Sequence, residues 1–203
     1  MNHHNPKILA FAGSLRKGSF NKKLVKIAVE GAREAGADVT LIDLADFPMP
    51  IYDGDLEQEK GMPPNALRLK NLMLENNGLL IASPEYNSSI SAVLKNAIDW
   101  VSRPQPNEED LIVFKNKVAC IMSASPGYFG GIRGLVHLRS ILGNIRVLVL
   151  PNQIFIPNAH KAFDENDQLI DSKKQSQTKE QGTLLAQAVR KHSLELSDSP
   201  LKL

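Results

Sequence analysis

Residues 7–44 read KILAFAGSLRKGSFNKKLVKIAVEGAREAGADVTLIDL, a segment that opens and closes on short apolar runs with a helical pattern between them. The runs KILAFA (7–12) and DVTLIDL (38–44) are short, partly β-branched and bounded by turn residues, so they read as strands. Between them Leu24, Val25, Ala28, Ala32 and Ala35 recur at helical spacing, and Gly36 stands where a left-handed residue ends a helix. A strand, a helix and a second strand in this order predict one parallel crossover.

The same alternation continues along the chain. Three further runs, GLLIAS (78–83), KVACIMS (117–123) and IRVLVL (145–150), predict five strands in all. PPNALRLKNLMLEN places prolines at a helix start ahead of the third run. Apolar stripes follow at Ile90, Val93, Leu94, Ala97, Ile98 and Val101, and at Ile132, Leu135, Val136, Ile141 and Leu142. The expected fold class is α/β, a parallel sheet with helices on both faces. Its order is 2-1-3-4-5 or that of a truncated dinucleotide-binding sheet. Segment 164–182 is polar and reads as an exposed loop before a last helix over about 183–196. No linker or repeat divides the 203 residues, so a single domain with frayed tails at 1–6 and 197–203 is expected.

Composition narrows the function. With 24 basic and 22 acidic residues the formal charge is only +2, which argues against a polyanion-binding surface and so against nucleic acid. One cysteine, Cys120, rules out an internal disulfide and reads as a small buried hydrophobe in a reducing compartment. No run is long enough to span a bilayer and the N-terminus has no apolar signal core, so a cytoplasmic location without a membrane partner is expected. The five histidines show no metal-ligand spacing, and no G-x-S-x-G elbow is present.

In the order 2-1-3-4-5 the loops GSLRKGSFN, PEYNSSIS and SASPGYFGG converge at the carboxyl edge of strands one, three and four, where open α/β sheets bind ligands. The first loop runs into a helix N-terminus, with Ser14, Ser19 and Asn21 as donors and Arg16 as a bidentate fork, a combination suited to a phosphate monoester. The simpler reading of Ser19 or Asn21 is a helix cap. A P-loop is disfavoured because Ser19 and Phe20 stand where Lys and Ser/Thr belong. The dinucleotide fingerprint lacks its glycines, which leaves Asp43 without a ribose role. In the second loop Pro84 forces an extended turn and offers the N–H groups of Glu85, Tyr86 and Asn87 to a flat ring such as a flavin; an ordinary turn capped by Ser89 or Ser91 is the alternative. Ser123, Ser125 and Gly127 of the third loop would line the ring's other edge.

Together, GSLRKGSFN, SPEYNSSI, LKNAIDWVSRP and SASPGYFGG resemble the NADPH-dependent FMN reductases of flavodoxin-like fold, a family that includes quinone, azo-dye and chromate reductases. The resemblance covers about residues 7–151 and implies a three-layer sandwich with the sheet order 2-1-3-4-5. It implies that Ser14, Arg16, Ser19 and Asn21, with Phe20 in the same loop, hold the FMN phosphate. It implies that Pro84, Glu85, Tyr86, Asn87, Ser123, Ser125 and Gly127 hold the ring and ribityl chain. The chain departs from the family at Ser91-Ala92, where Pro-Gly is usual. The implied activity passes hydride from NADPH or NADH through FMN to a quinone, azo compound, chromate or free flavin, with no catalytic side chain. A homodimer or homotetramer is implied as well. A flavodoxin-like one-electron carrier is the alternative, disfavoured by the near-zero charge.

Overall fold

The computed structural model describes residues 5–198. Five strands, β1 (Lys7–Ala12), β2 (Asp38–Asp43), β3 (Gly78–Ala82), β4 (Val118–Ala124) and β5 (Leu148–Val149), pair in parallel in the order β2-β1-β3-β4-β5. This is the flavodoxin-like order expected. β3 and β4 are buried along their whole lengths, because helices cover both faces. On one face Val118, Cys120 and Met122 of β4 pack with α1 (Phe20–Glu34) and α6 (Ser172–Asp198). On the other, Ala119 and Ile121 pack with α3 (Pro64–Glu75), α4 (Ala92–Val101) and α5 (Ile132–Asn144). A short α2 (Gly54–Lys60), capped by Asp53, lies in the loop after β2.

α1 ends as its sequence predicts. Gly36 has φ +80°, its N–H donates to Arg33 O, and the N–H of Ala37 reaches back to Ala32 O, the paired bonds of a Schellman motif. α5 ends in the same way with Arg146 (φ +72°) in the glycine position, and Val147 N–H donates to Leu142 O. That closure consumes residues 145–147, so the fifth strand is two residues long rather than the run 145–150. A sixth strand, β6 (Ile154–Ile156), then pairs beside the carboxyl half of β4, Met122 facing Ile154. The edge position is thus shared by two pieces separated by Pro151, which has no N–H for a ladder.

The C-terminal helix begins at Ser172, eleven residues before the expected start near 183. Asp171 caps it, accepting from the N–H groups of Lys173 and Lys174 at 2.9 and 3.0 Å. Its first half has no apolar stripe, because the residues turned to the core are Thr178 and Gln181, both buried. Gln181 Oε1 accepts from the Cys120 thiol at 3.2 Å, and burial pushes that thiol up to about 12, consistent with an inert core residue. Gly182 and Gly31 bring the two helices into backbone contact, with Thr183 Oγ1 donating to Gly31 O at 3.1 Å. Of the tails, residues 1–4 and 199–203 lie outside the described residues; Pro6 is buried and its carbonyl accepts from Asp38 N–H at 2.8 Å.

Lys117, at the far end of β4 from the loops, is 4% exposed, and its ammonium makes no ion pair among the described residues. Burial lowers its pKa to about 8 from 10.5. Between those two values the unfolded chain binds the proton and the folded chain does not, so stability rises with pH across that window. Lys117→Met is expected to abolish that rise and to stabilise the fold near neutral pH by about 1–3 kcal/mol, as read from denaturant curves at several pH values.

Candidate functional site

Gly13 N–H donates to Ala82 O at 2.9 Å, continuing the ladder as the chain leaves β1. Ser14 is buried and its Oγ accepts from Arg16 N–H at 3.3 Å, folding the loop back over the strand end. Ser19 begins α1 with extended backbone, yet its side chain makes no capping bond. The hydroxyl is thereby spared from the helix cap and remains available to a ligand. The N–H groups of Phe20 and Asn21 have no backbone acceptor among the described residues, as expected of the first helical positions. Arg16 is exposed and makes no ion pair among the described residues. Hydroxyls, free amides, a helix dipole and a guanidinium therefore face one space, the donor set of an anion site.

Asn21 does more than the sequence suggests. Its Nδ2 donates to Ala124 O at 2.8 Å and its Oδ1 accepts from Ala124 N–H at 2.9 Å, so it straps the start of α1 to the end of β4. One hydrogen of Nδ2 is left for a ligand.

The second loop differs from its expected form. Tyr86 N–H is not free: it donates to Ser89 O at 2.9 Å, and Ser89 N–H returns to Tyr86 O at 3.0 Å. Asn87 (φ 50°) and Ser88 (φ 64°) form the tip, both at positive φ as in a type I′ turn. The N–H groups of Glu85 and Asn87 remain without a backbone acceptor among the described residues. Ser91 caps α4, accepting from Leu94 N–H at 3.3 Å, while its hydroxyl donates to Gly13 O at 2.6 Å. The departure at Ser91-Ala92 thus supplies a helix cap and a bond to the first loop. Lys95 and Asp99 form a surface i,i+4 pair at 2.7 Å, and Trp100 is buried with Nε1 donating to Pro50 O at 2.8 Å. Neither feature approaches the cleft.

A single cleft brings together Ser14, Arg16, Ser19, Phe20 and Asn21 of the first loop with Pro84, Glu85 and Tyr86 of the second. Ala124, Ser125 and Pro126 close it on the third side. Asn87 and Gly127 lie outside this lining, exposed on their loops. Ser123 is displaced further. Its side chain is fully buried and points under α5, where its Oγ occupies the space a Cβ on Gly131 would take and has no hydrogen-bond partner among the described residues. The alternation of β4 explains this, since Ser123 falls on the same face as Ile121. Ser123→Ala is accordingly expected to change stability by less than about 1 kcal/mol and to leave flavin affinity within about twofold, measured by thermal unfolding and fluorescence titration.

The acid lining this cleft is Glu85, whose carboxylate is held by Arg133 and Gly134 N–H. Among the described residues no three His, Cys, Asp or Glu side chains are gathered as a metal would require. Lys22 pairs with Asp43 at 2.5 Å and Asp43 also accepts from Ala45 N–H, so the acid at the end of β2 is engaged locally.

Fold and cleft define a class: a flavodoxin-like α/β protein with a cleft of hydroxyls, free amides and a guanidinium at the carboxyl edge of β1, β3 and β4. The sequence model of the NADPH-dependent FMN reductases matches residues 6–161, and the chain belongs to that family. It is 39% identical to an NAD(P)H-dependent FMN reductase of Pseudomonas aeruginosa over 82% of this chain and 86% of that one. It is 38% identical to an NADPH:quinone oxidoreductase of Arabidopsis thaliana, over 81% of this chain and 82% of the other. Among solved structures, the flavoenzyme NAD(P)H:(acceptor) oxidoreductase FerB of Paracoccus denitrificans superposes with a TM-score of 0.76 at 27% identity, over 92% of this chain and 98% of FerB.

Proposed function

We propose that this protein is an FMN-dependent NAD(P)H oxidoreductase whose acceptor is a small oxidant such as a quinone or free flavin. The observation that carries this reading is the convergence of Arg16, Ser19 and the opening of α1 with Glu85, Tyr86 and Ser125 in one cleft. The residues fit a flavin mononucleotide. An uncapped helix start with a spare hydroxyl and a guanidinium unpaired among the described residues suits the phosphate, and the N–H groups of Glu85 and Asn87 suit the polar edge of a ring.

When bound, FMN supplies the redox chemistry, accepting hydride from a nicotinamide and delivering it to a second substrate. The chain's own contribution is placement. Arg16 and Ser19 would hold the phosphate, Asn21 fixes the helix start against β4, and Pro84 and the turn 86–89 would flank the ring. No side chain is required as acid, base or nucleophile, in keeping with a cleft whose acid is fully paired.

Exposed apolar side chains ring the same edge: Ile51 (84%), Tyr128 (82%), Leu15 and Tyr86. Such a patch beside an open cleft supports assembly of like subunits over it, as a homodimer or homotetramer. Among the described residues no helix is long and apolar enough to cross a membrane; a cytoplasmic location remains part of this proposal.

Purified protein loaded with FMN is expected to oxidise NADPH when a benzoquinone is present. A protein that binds FMN and leaves both NADPH and NADH untouched would be an electron carrier instead. One that binds no FMN would contradict the whole reading.

A further inference from the structure

Resting on the FMN reading above, we infer that Arg133, which does not line the cleft, is the positioning residue for the flavin ring: it locks the turn after β3 to the loop after β4. Arg133 is the second residue of α5. Its Nε and Nη2 both donate to Glu85 Oε1, at 2.9 and 2.6 Å. The other carboxylate oxygen of Glu85 accepts from Gly134 N–H at 3.1 Å, capping α5 from a different segment of the chain. The same guanidinium lies 5.2 Å from the ring centroid of Phe129, in the loop after β4. One side chain therefore touches both segments that would flank the ring.

The burial is asymmetric. The Glu85 side chain is 7% exposed and that of Arg133 55%. A carboxylate so far removed from water needs its partner, and the loss of Arg133 would leave it free to swing towards solvent, carrying residues 85–87 with it. A second bond runs parallel, between His137 Nδ1 and Ser89 Oγ at 3.0 Å. Within itself the turn is closed by the Tyr86–Ser89 backbone pair, and its tip residues Asn87 and Ser88 both hold positive φ without being glycine, a conformation that outside contacts help to maintain. It is held from α5.

Two glycines of GGIRG, Gly131 and Gly134, sit beside this contact. A Cβ on Gly134 would lie 3.1 Å from Ser89 O and 3.4 Å from Glu85 Cα. One on Gly131, where φ is +89°, would lie 1.9 Å from Ser123 Oγ. Gly134 is small so that the start of α5 can receive the turn and Gly131 so that it can pass over Ser123; the ligand is not what they make room for.

The test compares FMN with riboflavin, which has the ring and no phosphate, by fluorescence titration of wild type, Arg133→Ala and Arg133→Lys. A residue that positions the ring weakens both ligands by the same factor, about tenfold for Arg133→Ala, since one charge-assisted pair is lost. The absorption bands of the bound flavin shift as well. Lysine restores only part of the loss, because it has no bidentate fork. Unchanged affinities and bands in folded Arg133→Ala would overturn the inference, as would a loss confined to FMN. Should Arg133→Ala fail to fold, Glu85→Gln keeps an acceptor for Gly134 N–H, removes the charge pair and carries the same comparison. A wild type that binds neither flavin overturns the FMN reading and this inference with it. A wild type that binds both beside an insensitive variant overturns the inference alone.

Discussion

Gly182→Ala is expected to lower the melting temperature by about 10 °C or more. A Cβ at residue 182 would lie 1.8 Å from Ala28 O and 2.6 Å from Ala32 N, both main-chain atoms of α1. Main chain cannot rotate away as a side chain can, so the two helices must separate. Separation reaches the core, because Leu185, Ala186 and Val189 pack in the same cluster as Leu24, Val25 and Ala28. A cost of about 3–5 kcal/mol follows from overpacking a close helix crossing and loosening its neighbours. Gly31→Ala meets Lys179 O at 1.9 Å and is expected to behave alike. Gly143→Ala is the control: nothing lies within 4 Å of its Cβ, and helix propensity alone predicts a gain of about 0.5–1 kcal/mol. Thermal unfolding of the three variants checks this, and equal melting temperatures would contradict the α1–α6 contact.

Arg16→Ala is expected to weaken FMN by about 1.5–3 kcal/mol, roughly tenfold to more than a hundredfold, and to leave riboflavin affinity unchanged. The guanidinium has no competing partner among the described residues, so its hydrogen-bonding capacity is available to an anion. Its exposure means that added salt should shrink the difference between variant and wild type. Fluorescence titration at two ionic strengths reads both effects. A loss shared equally by riboflavin would move Arg16 from the phosphate to the ring.

The unit β1–α1–β2 was legible in the sequence because each of its signals is local: two apolar runs, a stripe at helical spacing, and Gly36 at a left-handed cap. The converging loops were legible on the premise of the order 2-1-3-4-5, since strand order fixes which strand ends lie side by side. What stayed hidden depends on distant partners. The first half of α6 faces the core with Thr178 and Gln181, so hydropathy shows no stripe, and its helical character becomes apparent only beside Gly31 and Cys120. The run 145–150 reads as one strand, but its first residues close α5, and Pro151 divides the edge between β5 and β6.

Within the cleft, residue type pointed to the three loops that the fold brings together and not to every atom that lines it. Ser123 carries a hydroxyl on the face of β4 that turns under α5, outside the cleft lining. Tyr86 N–H is spent on a turn that Asn and Ser side chains do not advertise as reliably as glycine would. Arg133 and Glu85 are 48 residues apart, and no local pattern joins them.

The central claim is that three separate loops wrap one mononucleotide with its phosphate at the opening of α1. Titrating isotopically labelled protein with FMN, and following the backbone amide resonances, tests it most directly. The predicted result is saturation at one FMN per chain, with the largest shifts in residues 14–21, 85–87 and 125–127. Shifts concentrated at the opposite edge of the sheet, around Lys117, or in only one of the three loops, would contradict it.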